Sequence, residues 1–176
     1  MNWNSFARIF EIISSRYFLI AAVPFLFFYL LQAGEKRFRK IQQKFPGSRD
    51  YLHEIGYSVV TIGIFTLVFL ILLKSPVVAP HTTLYKKAGQ YGWPYFILAF
   101  PLMFIMHDSY FYWTHRLMHH PRLFRIFHLV HHQSTNPSPW AAYAFHPLEA
   151  LVEIGITVLF LFIMPIHAYH LMVFSW

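Results

Sequence analysis

Four long, predominantly apolar intervals of the chain run without a charged residue, at positions 17–34, 55–73, 88–107 and 154–176. Each is about as long as a bilayer-spanning helix requires, roughly 17 to 25 residues. The first has a long apolar core interrupted by Pro24 and no small-residue cleavage site after it, so it reads as a retained span rather than a signal peptide. Ahead of it, Trp3, Phe6, Phe10 and Ile13 recur at helical spacing with Arg8, Glu11 and Arg16 elsewhere on the wheel, which suggests a short interfacial helix over 1–16, with a frayed N-terminus as the alternative. Gly, Pro and polar residues collect at 44–50, 74–92 and 133–140, where loops belong. The pattern predicts an all-α integral membrane protein with about four transmembrane helices and a histidine-rich helical cap. It divides into an interfacial segment (1–16), a first pair of spans with their loops (17–91), and a histidine-bearing region (92–176).

Composition agrees, with 57% hydrophobic and only 12% charged residues. The net charge of +7 changes the picture through its distribution. Lys36, Arg37, Arg39, Lys40, Lys44 and Arg49 crowd the first loop, while Lys74, Lys86 and Lys87 stand alone in the second. The positive-inside rule then puts the first loop in the cytoplasm, and the third span delivers the histidines to that same face of a bacterial inner membrane or endoplasmic reticulum. Such a loop suits anionic headgroups, and no nucleic-acid partner is expected. The absence of cysteine excludes disulfides and thiolate ligands and leaves the compartment open.

The chemistry concentrates in "HRLMHHPRLFRIFHLVHH", residues 115–132. His115 and His119 stand four apart on one helical face, shared with Asp108 and Tyr112. His128, His131 and His132 follow at i, i+3 and i+4, and Pro121 between the groups is tolerated in the first turn of a new helix. Two helices can thus present two histidine faces to each other. Neutral imidazole suits iron, copper, zinc and nickel, and five or six such donors exceed what one tetrahedral zinc needs, so two metals are the economical reading. His120 is an alternative to His119, and His107 is a further candidate two turns earlier.

Asp108 can hold a ligand imidazole by accepting its second ring N–H, or pair with Arg116. Downstream, "FHPLE" adds His146 as a candidate ligand and Glu149 as an acid that is costly at the rim of a span unless paired, as is Glu153. Ser134, Thr135 and Asn136 read as loop and capping residues, and His53 and His81 as interface anchors. His167 and His170 fall about 30 Å from the cluster if the fourth span is one straight helix. A membrane zinc hydrolase is disfavoured because no HExxH is present.

Residues 108–149 resemble the fatty acid hydroxylase and sterol desaturase superfamily of integral membrane enzymes. "HRLMH" (His115, His119) is similar to its first histidine box, "HLVHH" (His128, His131, His132) to its second, and "FHPLE" (His146, Glu149) to the motif that follows. The resemblance implies a histidine-bound pair of irons at the cytoplasmic face, O2 as co-substrate, and hydroxylation or desaturation of a sterol, fatty acyl or sphingoid lipid. It further implies electrons from NAD(P)H through cytochrome b5 or a ferredoxin with its reductase, and a cavity that lipid enters sideways, for which Tyr112, Trp113 and Trp140 are candidate walls. A third box of the HxxHH kind is absent from these residues, which leads us to expect the N-terminal part of a longer protein, with catalysis conditional on the intact chain. The alternative is a non-catalytic, metal-binding homologue.

Overall fold

The computed structural model describes residues 3–31 and 45–174. The first helix, α1 (Trp3–Pro24), passes without a break through position 16. Pro24 cannot donate the next backbone hydrogen bond, and beyond it the chain continues as a π-helix, Phe25–Leu31. On its first turns the Trp3, Phe6 and Phe10 rings stack in succession. Five of the six first-loop cations (Lys36, Arg37, Arg39, Lys40 and Lys44) lie outside the described residues.

α2 (Ser48–Lys74) is started by Asp50, whose carboxylate accepts the Gly47 N–H at 2.7 Å. Trp3–Leu31 and Ser48–Lys74 are both long and apolar enough to cross a membrane. They meet through Ile13, Tyr17 and Ala21 on one side and Ile62 on the other, all buried. A short connector then carries the two-residue strand β1 (Leu84–Tyr85) to Gly92, whose φ of +82° suits glycine and turns the chain into α3.

α3 (Trp93–Met118) is continuous from its apolar half into the polar "HDSYFYWTHRLM", so the helix runs unbroken to His115 as the sequence predicts. It ends where Pro121 begins α4 (Pro121–Phe127), followed directly by α5 (Leu129–Gln133). A 3-10 turn at Pro139–Tyr143 leads to α6 (Pro147–Ile163). α2, α3 and α6 share a second core of Leu72, Ala99, Met103, Ile156, Phe160 and Leu161. The α3–α6 approach depends on Gly155: a Cβ there would collide with the Tyr110 hydroxyl, which donates to the Val152 carbonyl at 2.7 Å.

The apolar run 154–176, expected as one straight helix, departs from that expectation. Pro165 lacks an N–H and forces its predecessor out of the helical region, so Met164 is extended (φ −132°, ψ 141°) and α6 stops. The chain then pairs strand β2 (Ile166–His167) in parallel with β1 and starts α7 (Ala168–Phe174). His170 packs on Phe96 and Phe100, and Phe174 on Phe104 and His107, so α7 runs back beside α3 toward the histidines. Both outward and lipid-sized apolar flanks, such as Leu19, Val23, Leu67, Ile97, Ile105 and Ile163, are exposed, as they are where hydrocarbon is the solvent.

Candidate metal centre

The polar end of α3, the α4–α5 junction and the first turn of α6 converge on one point. His115 and His119, one turn apart on α3, bring their Nε2 atoms to 3.1 Å. His128 closes α4 and opens α5, and its ring lies 4.6 Å from His115 and 4.7 Å from His119, centre to centre. One donor atom from each of the three lies within 4.8 Å of the others, a geometry that can hold a metal ion. His132 stands beside them, 4.7 Å from His128 and 5.0 Å from His119, and His131 stacks on His128 at 5.3 Å with Phe145 against it at 5.4 Å.

His128 is the floor of the site, 1% exposed, and its Nδ1 meets Glu149 Oε1 at 2.6 Å. Burial, with Glu153 adding to it, raises Glu149 to about 8; once that acid is ionised, Nδ1–H donates to its carboxylate and the lone pair falls on Nε2, which is buried and has no hydrogen-bond partner. Burial, reinforced by the surrounding imidazoles, pushes His128 down to about 3. Burial likewise lowers His115, with His119 and His132 adding to it. His131 is lowered by burial and by His132, His115 and His119, against a weaker pull from the Ala144 backbone. These imidazoles are therefore neutral at pH 7, the protonation state in which they ligate metals.

His146 caps α6, its Nδ1 accepting the Leu148 N–H at 3.3 Å, and it is not among the three donors that converge. His120 caps α4, accepting from the Arg122 N–H. Asp108 is exposed and contacts neighbouring His107 at 3.1 Å, so its carboxylate reaches neither the converging histidines nor Arg116. Arg116 lies over Trp113 and donates to the Tyr112 hydroxyl. Tyr112 and Trp113 are exposed, and Trp140 packs between Tyr17, Phe18 and Phe25. His167 and His170 are buried hydrogen-bonding residues beside Phe96, donating to the Lys86 and Phe96 carbonyls. Sequence reasoning passed over Glu54, fully buried on α2 and bonded to Ser138, although an acid abutting an uncharged interval is the same signal that marked Glu149.

A cavity of about 530 Å³ opens beside this centre, between α1, α2, α6 and α7. Ile13, Phe65, Phe69, Ile156 and Leu171 make its walls apolar, and Arg16, His107 and Glu153 supply polar groups. Glu153 stands one turn beyond Glu149 on α6, and Phe145, which covers His131, lines the same cavity.

Residues 100–176 match the fatty acid hydroxylase family. A Delta(7)-sterol 5(6)-desaturase of Gibberella zeae is 28% identical over 165 residues, 92% of this chain and 51% of that protein. One from Aspergillus fumigatus is 43% identical over 70 residues, 40% of this chain and 22% of the relative. Lathosterol oxidase of Rattus norvegicus is 30% identical over 89 residues, 49% and 30% of the two lengths. The chain thus spans about half, or less, of the length of the curated relatives it matches. No solved structure matches it. With its histidine motifs gathered at one site, its predominantly helical apolar fold and these relatives, the chain is similar to the fatty acid hydroxylase and sterol desaturase superfamily, the family match running over residues 100–176.

Proposed function

We propose that this chain carries the metal-binding site of an oxidoreductase that uses O2 to desaturate or hydroxylate a C–H bond of a membrane sterol. The observation that carries the reading is the buried, unpartnered Nε2 of His128, aimed among the donors of His115 and His119 and backed by Glu149. A neutral, desolvated lone pair with no hydrogen-bond partner is costly unless a cation completes it. His115, His119 and His128 hold that ion; His131, His132 and His146 are the donors nearest in sequence for a second. The ion is iron, which when bound supplies activation of O2 and removal of hydrogen from an unactivated carbon.

The chain's own groups prepare the site for this. Glu149, once ionised, accepts the His128 Nδ1–H and so leaves the Nε2 lone pair for the ion. Phe145 and the apolar cavity walls exclude water beside the centre, and the cavity volume falls within the roughly 300–1,000 Å³ common for small-molecule sites. The sterol class is favoured by the names of the relatives, which are sterol desaturases and an oxidase of lathosterol. The protein is read as integral to the endoplasmic reticulum or a bacterial inner membrane with the histidines on the cytoplasmic face. There cytochrome b5 or a ferredoxin, with its NAD(P)H reductase, delivers the electrons.

Elemental analysis of protein purified in detergent after expression in iron-supplemented medium tests the reading, with His128→Ala alongside. Iron bound by the wild type and lost in the variant supports it. Stoichiometric zinc with no iron would point to a three-histidine hydrolytic site, and no metal in either would point to a non-catalytic homologue.

A further inference from the structure

The donors of the centre come from 115–132 and the acid that backs His128 from the first turn of α6, joined by a segment with no α-helix of its own beyond Gln133. That segment is fastened to α1 and α2 by a chain of polar contacts. Glu54, fully buried near the start of α2, accepts hydrogen bonds from both the backbone N–H (3.2 Å) and the hydroxyl of Ser138. Ser138 Oγ in turn accepts the Trp140 N–H at 3.2 Å. The Trp140 carbonyl accepts from Tyr17 Oη on α1 (2.8 Å) and Ser58 Oγ on α2 (3.1 Å). Tyr29 Oη donates to the Pro137 carbonyl, and His53 Nε2 meets Gln133 Oε1 at 3.1 Å, next to His132.

A buried carboxylate that accepts two hydrogen bonds from one residue holds that residue firmly, because breaking either bond leaves a desolvated acid. The contact between His128 and Glu149 closes a loop of 21 residues, and Ser138 sits in the middle of that loop. We propose that Glu54 is a positioning residue for the metal centre: by pinning Ser138 to α2, it sets the path of 133–143 so that Glu149 meets His128. This rests on the reading of His115, His119 and His128 as metal donors. It also makes α2, which lies outside the matched family region, part of the site.

The 176-residue chain in detergent, wild type and variants, is examined with two readouts. On the metal-free protein, the ¹H–¹⁵N resonance of His128 Nδ1–H reports its bond to Glu149. On the same samples, titration with Co²⁺ followed by its visible absorption reports affinity. Glu54→Gln and Ser138→Ala should each erase the downfield-shifted His128 resonance and weaken Co²⁺ binding about tenfold, the low end of what supporting partners of metal ligands contribute. Ser138→Thr, which keeps both donors, should retain both signals, and the double variant should lose no more than either single one. An unchanged resonance and an affinity within twofold of wild type in both single variants would overturn the proposal, whatever happens to thermal stability. Should Glu54→Gln fail to insert, Ser138→Ala decides by the same criteria. Should the wild type bind no Co²⁺, the metal reading falls, while the His128 resonance still decides the role of Glu54.

Discussion

The most consequential single atom is Nε2 of His128, buried and without a partner among the described residues. His115→Ala and His128→Ala should each abolish Co²⁺ binding while helicity by circular dichroism stays unchanged. Glu149→Gln should weaken binding roughly ten- to a hundredfold, since it supports a ligand rather than supplying one. His170→Ala should do the opposite: it removes two buried hydrogen bonds, at a cost of about 1–3 kcal/mol seen in denaturant unfolding, and leaves Co²⁺ affinity alone. Acid stability carries a further signature. Burial holds His128 at about 3 against 6.5 for an exposed imidazole, so between those values the unfolded chain binds a proton that the folded chain does not. The stabilisation from neutral His128 is present above pH 6.5 and is lost as pH falls toward 3. Metal-free wild type should therefore lose stability steadily over that range and His128→Phe should lose less; parallel curves would contradict the assignment.

Among elements, the contact of α3 with α6 sets how closely the ligand-bearing end of α3 can approach the turn that carries Glu149. Gly155 and Tyr110 make that contact. Gly155→Ala should cost about 1–3 kcal/mol by overpacking, measured as a drop in thermal or denaturant midpoint. Most of the collision is with the Tyr110 hydroxyl rather than its ring. Adding Tyr110→Phe to Gly155→Ala should therefore recover stability, although Tyr110→Phe alone forfeits the bond to Val152. Simple additivity in this cycle would show that the helices shift apart instead.

For the whole molecule, the proposed topology sets the centre and the connector between α2 and α3 on opposite sides of the membrane. The chain contains no cysteine, so single cysteines give a clean assay. In sealed vesicles, Arg122→Cys should react with a membrane-impermeant maleimide only from the cytoplasmic side and Lys87→Cys only from the other; labelling of both from one side would refute the topology.

Apolar intervals, the unbroken run of α3 into His115, and the grouping of histidines at helical spacing were all legible in the sequence, because each depends on periodicity within one element. The turn at Pro165 was written there too. An uncharged run nevertheless reads as a span until one sees that Ile166–His167 has β1 to pair with and α7 has α3 to lie on. Spacing placed Asp108 on the same helical face as His115, yet only packing showed its carboxylate beside His107 and left Glu149 to meet His128 from 21 residues away. Glu54 was silent for the same reason. Its partner, Ser138, is 84 residues distant, and contacts between elements follow from how helices cross and where loops run, which periodicity along one chain segment does not encode.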